Sequence, residues 1–131
     1  MIEADGKELV TENVGQERTG WESLDADQLR EVFRENGLVE MSQDMLPLHW
    51  KAQDARRHKI HTLVLNACES EPYVTSDHSL FMSHPVEILK GAEIFRKAIA
   101  ADKVIIAIQK DKLEVAELIK SKIYFLKWNN Y

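Results

Sequence analysis

The sequence predicts an α/β domain with a βαβα core, a fragment of parallel sheet preceded by an N-terminal arm and helix. Two short, apolar, partly β-branched runs carry this reading, one from His61 to Asn66 and one from Val104 to Ile108. Neither alternates with polar residues, as expected for parallel strands covered on both faces. The stretch between them has helical character and is long enough to return the chain to the same end of the sheet. The order strand, helix, strand, helix therefore specifies two neighbouring parallel strands. At 131 residues the chain has the length of one domain with a single hydrophobic core.

Residues 1 to about 22 are polar and acidic, with Gly6, Gly15 and Gly20 scattered through them, and read as an extended arm. Glu8–Thr11 is its one candidate strand, and Trp21 is expected to pack on the domain, which covers 23–131. A first helix begins after Asp25, which with Gln28 fits a capping box. Leu29, Val32 and Phe33 give it one apolar face, and Asn36-Gly37 closes it with glycine at the left-handed C′ position. From Leu38 to Lys51 no period is clear, so a loop is expected, then a helical turn after Pro47 running into Ala55. The basic cluster Arg56-Arg57-His58-Lys59 reads as a solvated loop before the first strand.

After that strand comes an acidic turn, Glu69-Ser70-Glu71-Pro72, where proline ends the ladder. Ser83-His84-Pro85 then opens the strongest helix of the sequence, with Ser83 as cap and Val86, Leu89, Ala92, Ile94 and Ile99 on a broad apolar surface. It ends near Ala101. After the second strand, Asp111 is expected to cap a third helix with Leu113, Ala116, Leu118 and Ile119 inward. Two strands do not make a stable sheet alone. A further strand is expected from 8–11, from a second subunit, or from the aromatic tail Ile123–Trp128, giving a three-layer or partial two-layer domain.

Composition removes several function classes. A net charge of −5 argues against a nucleic-acid binder, which needs a positive stripe to release counterions. No window is apolar enough for a membrane span, and Met1–Asp5 lacks a signal peptide's basic start, so a cytoplasmic location without membrane insertion is expected. The single cysteine, Cys68, allows neither an internal disulfide nor an iron–sulfur cluster in this chain. It reads as a small residue packed near the sheet edge. The histidines match no zinc spacing, and His58 and His61 enter a strand pointing opposite ways, so no metal site is predicted. There is no G-x-S-x-G elbow, no P-loop and no G-x-G-x-x-G.

What remains is the acidic turn. Ligands of open α/β sheets gather outside the carboxyl ends of the strands, and Glu69 and Glu71 stand at such an end. Two carboxylates there can accept hydrogen bonds from a ribose, a ring N–H or an amide, and a solvated acidic turn is the alternative.

At this turn Asn66-Ala67-Cys68-Glu69-Ser70-Glu71-Pro72-Tyr73, followed by Asp77, resembles the N-x-x-E-x-E-P-Y…D block of the C-type subunits of Rnf complexes. The NADH-binding flavoprotein subunit of respiratory complex I has the same block with glycine after the proline. The resemblance extends upstream through Asp5-Gly6-Lys7 and Leu24–Val39. Downstream it takes in Glu87–Gly91 and Val104–Lys112, so that nearly the whole chain is covered. It implies a Rossmann-like domain that binds FMN and exchanges hydride with NADH inside an electron-transfer complex, with that complex's other subunits as partners. By position, Asn66, Glu69 and Glu71 would line the flavin and nicotinamide pocket, and Asp77 would sit at its edge. No residue of this chain is assigned a catalytic role.

Two departures qualify the resemblance. The family wraps the flavin phosphate with a loop of the form G-x-G-G-A-x-F-P-T. Counted back from Pro47, this chain has Glu40, Ser42, Gln43 and Asp44 where the family has three glycines and an alanine. Glycines there reach positive φ and let backbone N–H groups approach an anion. Side chains block that approach and two carboxylates repel the phosphate, so weakened or lost flavin binding is expected. Family chains also continue past the equivalent of residue 131 into the rest of the sheet and cysteine-rich cluster segments. The expectation is the first half of a flavin domain. The rival readings are a non-catalytic interaction module that self-associates through its aromatic tail, and a truncated paralogue without its own activity.

Overall fold

A computed structural model describes residues 20–40, 44–68 and 76–125, with backbone alone at 76, 77, 124 and 125. A 3-10 turn, Trp21–Ser23, leads to α1 (Ala26–Glu35), α2 (Leu48–Arg57), β1 (Thr62–Ala67), α3 (Ser76–Ser83), α4 (Pro85–Ile99), β2 (Lys103–Ile108) and α5 (Leu113–Phe125). The architecture is the expected α/β, Rossmann-like fragment: β1 and β2 pair in parallel, from Thr62 with Lys103 to Ala67 with Ile108. Among the described residues no helix is long and apolar enough to cross a membrane.

Helix α1 forms as its sequence dictates. The Asp25 carboxylate accepts from the N–H groups of Asp27 and Gln28 at 2.9 and 2.8 Å, and the Gln28 side chain accepts from the Asp25 N–H at 2.8 Å. This reciprocal box satisfies donors that otherwise have no partner in the first turn. Gly37 ends the helix at φ 60. Asp25→Ala should lower stability by about 1 kcal/mol, read as a lower urea midpoint at unchanged m-value.

The core lies on one face of the sheet. Leu63, Leu65 and Ala67 of β1, with Val104, Ile106 and Ile108 of β2, point toward the helices. One cluster joins Leu29 and Phe33 of α1, Ala52 of α2, and Ala98 and Ile99 of α4. The other joins Ala67, Phe81 of α3, Leu89 of α4, and Val115 and Ile119 of α5. Helix α4 contributes to both and is the spine of the domain. Ala52 and Ala98 have no exposed surface, which lets the backbones of α2 and α4 approach closely.

Five expectations need correction. The strands are not covered on both faces, because Val64 is 56% exposed and its ladder partner Ile105 46% exposed. Among the described residues the domain therefore has two layers, the second of the two arrangements expected. The cluster Arg56-Arg57 is not a loop but the last turn of α2, where guanidinium groups suit the negative end of the helix. Ser83 caps nothing: it ends α3, a helix that the sequence did not announce, and its hydroxyl donates to Ser79 O at 2.6 Å. His84 stands at the N-cap of α4 without a side-chain cap, and Pro85 fills the first turn. Finally, Asp111 lies in the turn before α5, and Leu113 is 66% exposed while Val115 and Ile119 point inward.

Candidate functional site

Because β1 and β2 are parallel, their carboxyl ends lie together, at Ala67 and Ile108. Asn66 stands one residue before the end of β1, opposite Ala107, with its side chain exposed on the helix-free face. Its Oδ1 accepts from the Cys68 N–H at 3.2 Å, which bends the chain out of the strand. The Cys68 thiol turns inward and donates to Ala107 O at 3.6 Å, tying the exit of β1 to β2. Cys68 is thus the half-buried sheet-edge residue that its sequence context suggests.

Beyond Cys68, Glu69 and Glu71 lie outside the described residues. The chain is described again from Ser76, so Asp77 falls in the first turn of α3. That helix is fastened to α5: His78 Nε2 lies 3.6 Å from Glu114 Oε1, and Phe81 is buried beside Val115 and Ile119. The structure thus fixes Asn66 and Cys68 at the strand end, and packs α3 against α5 through Phe81, in the cluster that includes Ala67.

The segment expected to correspond to a phosphate loop has a shape of its own. Val39 bridges Pro47 in antiparallel fashion, the Glu40 N–H donates to Leu46 O at 3.0 Å, and the Leu48 N–H donates to Leu38 O at 2.8 Å. Residues 38–40 and 46–48 are therefore the two legs of a hairpin, and 41–43 lie outside the described residues. Lys51, in the first turns of α2, donates its ammonium to the Glu40 carboxylate. The Glu40 side chain is only 15% exposed, so this pair is partly shielded from water. Asp44 is exposed in the turn before the second leg.

Elsewhere charged groups pair both within a helix and between elements. On the exposed face of α1, a hydrogen bond from Arg34 holds the Glu31 carboxyl below its ordinary range, and Glu31 in turn raises the guanidinium. At the amino ends of the strands His61 Nδ1 meets Asp102 Oδ2 at 3.0 Å, on the side away from the candidate crevice. Among the described residues no three His, Cys, Asp or Glu side chains converge as a metal site would require.

Sequence reasoning missed the Glu40–Lys51 pair and helix α3. Leu48, Ala52 and Ala55 at i, i+4 and i+7 were the available signal for α2, and hence for where Lys51 sits.

A family model described as the Nuo51 FMN-binding domain matches residues 33–127. Three curated relatives are C-type subunits of ion-translocating complexes. The chain is 28% identical over 120 residues to that of the proton-translocating ferredoxin:NAD(+) oxidoreductase complex of Clostridium ljungdahlii, covering 92% of this chain and 26% of that protein. It is 28% identical over 123 residues to that of the Na(+)-translocating ferredoxin:NAD(+) oxidoreductase complex of Acetobacterium woodii, covering 94% and 28%. To that of the ion-translocating oxidoreductase complex of Buchnera aphidicola it is 35% identical over 103 residues, covering 76% and 22%. The chain thus spans about a quarter of the length of these curated relatives.

Proposed function

From the fact that this chain belongs to the Nuo51 FMN-binding domain family, and is RnfC-like within it, we propose that it is a flavin-domain subunit of an electron-transport complex whose own hold on FMN is weakened or lost. In this reading residues 1–22 are an arm and 23–131 one domain related to the first half of an FMN/NADH-binding domain. Asn66, Glu69, Glu71 and Asp77 retain the wall that faces flavin and nicotinamide. The partners are the other subunits of such a complex, and the chain works on the cytoplasmic side.

One observation carries the weakened grip. Glu40 stands where the family has the first glycine of its phosphate loop, and its carboxylate is already paired with Lys51. A phosphate approaching the hairpin meets a carboxylate in place of a bare backbone, and the neighbouring cation is neutralised. FMN, if bound, would supply hydride acceptance. This chain's own residues would orient it through the Asn66 amide and the carboxylates of the acidic turn.

The test is the absorption spectrum of the purified protein, followed by titration with FMN. No stoichiometric flavin and only weak saturation are expected. A yellow protein holding FMN mole for mole through gel filtration would overturn the weakened-grip reading and leave an ordinary flavin domain.

A second reading, a non-catalytic association module, is favoured by the exposed Val64–Ile105 pair on the helix-free sheet face. A strictly monomeric protein in light scattering across a wide concentration range would remove it.

A further inference from the structure

An apolar groove of about 840 Å³ opens on the helical side of the domain, away from the sheet face that carries Asn66. Trp21, Leu24, Val32, Phe33, Ile94 and Phe95 line it. Its floor is rigid, because Leu29 is fully buried and the Phe33 and Phe95 rings stack with centroids 6.0 Å apart. One wall is open at Gly91 of α4, where a Cβ would meet nothing within 4 Å. The other is pinned by the Lys97 ammonium, which donates to Glu22 O and ties the Trp21 turn to α4. The flavin reading makes no use of this recess, and an apolar groove of this size facing water calls for an occupant.

We propose that the occupant is the chain's own arm, with Leu9, Val10 and Val14 as anchors. Continuity comes first: Gly20, where the described chain begins, itself lines the groove, at φ 98. The arm therefore leaves from the rim of the recess. Val14 lies six residues upstream, a reach of roughly 20 Å when extended, more than enough to enter it. Gly15 gives the chain freedom to turn back between the two. Composition comes second, since Leu9, Val10 and Val14 are the apolar residues of the arm nearest the rim, with only Met1, Ile2 and Ala4 beyond them. Charge comes third. Residues 1–19 hold five carboxylates, Glu3, Asp5, Glu8, Glu12 and Glu17, against Lys7 and Arg18, while Lys90 and Lys97 flank Gly91 and Ile94 on the α4 side.

The test uses the full chain with labelled methyl groups. Nuclear Overhauser contacts are expected from the Leu9, Val10 and Val14 methyls to the rings of Trp21, Phe33 and Phe95. In the double variant Leu9→Asp/Val10→Asp those contacts should vanish and fluorescence of added anilinonaphthalene sulfonate should rise several-fold, with the far-ultraviolet circular dichroism unchanged. Absence of the contacts in the unmodified chain, with dye binding already at the variant's level, would overturn the proposal. So would contacts seen only between labelled and unlabelled copies, which would make a second molecule the occupant. Should the variant fail to fold, the contacts in the unmodified chain decide alone.

Discussion

Leu89→Ala should lower the stability of the domain by about 2–5 kcal/mol, and Leu113→Ala by less than about 0.5 kcal/mol. Both residues are leucines on the two helices that sandwich the second cluster. Leu89 has no exposed surface and sits among Ala67, Phe81, Val115 and Ile119, whereas Leu113 is largely in water. Truncating Leu89 removes its transfer free energy and leaves a cavity between the sheet, α3 and α5 that rigid neighbours cannot fill. Against a typical total of about 5–15 kcal/mol for a domain, the loss is a large fraction. Urea unfolding followed by circular dichroism measures both. Equal costs for the two leucines would mean that α5 presents a different face to the core.

Restoring the loop by Glu40→Gly, Ser42→Gly, Gln43→Gly and Asp44→Ala should tighten FMN binding by on the order of a hundredfold or more. At roughly 5 Å and an effective dielectric near 20, each carboxylate opposes a phosphate by about 3 kcal/mol before screening and relaxation. Removing Glu40 also releases the Lys51 ammonium to face the phosphate. Glu40→Gln alone should recover part of the gain, because it removes charge but keeps a side chain in the way. Isothermal titration separates these outcomes. A restored loop that binds FMN no better than the unmodified chain would place the defect elsewhere in the pocket.

The legible parts of the fold were those written in local chemistry. Asp25 and Gln28 announced the start of α1, Gly37 its end, and the two β-branched runs the strands, within a residue or two of their positions. The illegible parts depend on what each element faces. Unbroken apolar runs looked doubly covered, yet Val64 and Ile105 face away from every described helix. Helix α3 has Leu80, Phe81 and Met82 side by side, so no stripe marks it, and only Phe81 is buried. Asp111 has a capping chemistry that its turn does not use, and Leu113 matches its helical period but not the buried face.

The candidate site was legible as a sequence block, and the structure describes its beginning. Asn66 stands out by its place in the block, and its amide shapes the exit from β1. Glu69 and Glu71 lie outside the described residues, and Asp77 is fixed in backbone alone. The proposed loss of loop glycines rests on residue types alone. That Glu40 would be paired with Lys51 was not legible, since it depends on a hairpin bringing together residues separated by a segment without a period.

The parallel pairing of β1 with β2 also carries a cost during folding. Each ladder contact joins residues roughly forty positions apart, so the entropy of closing that loop must be met before any strand hydrogen bond forms. The contact of α4 with α5 closes over a shorter span, whereas that of α1 with α4, as between Phe33 and Phe95, closes over a longer one. Until that loop closes, the strand edges are bare. Val64 and Ile105, uncovered even after pairing, keep part of that stickiness in the finished molecule. Concentration during refolding should therefore decide between a folded chain and an aggregate.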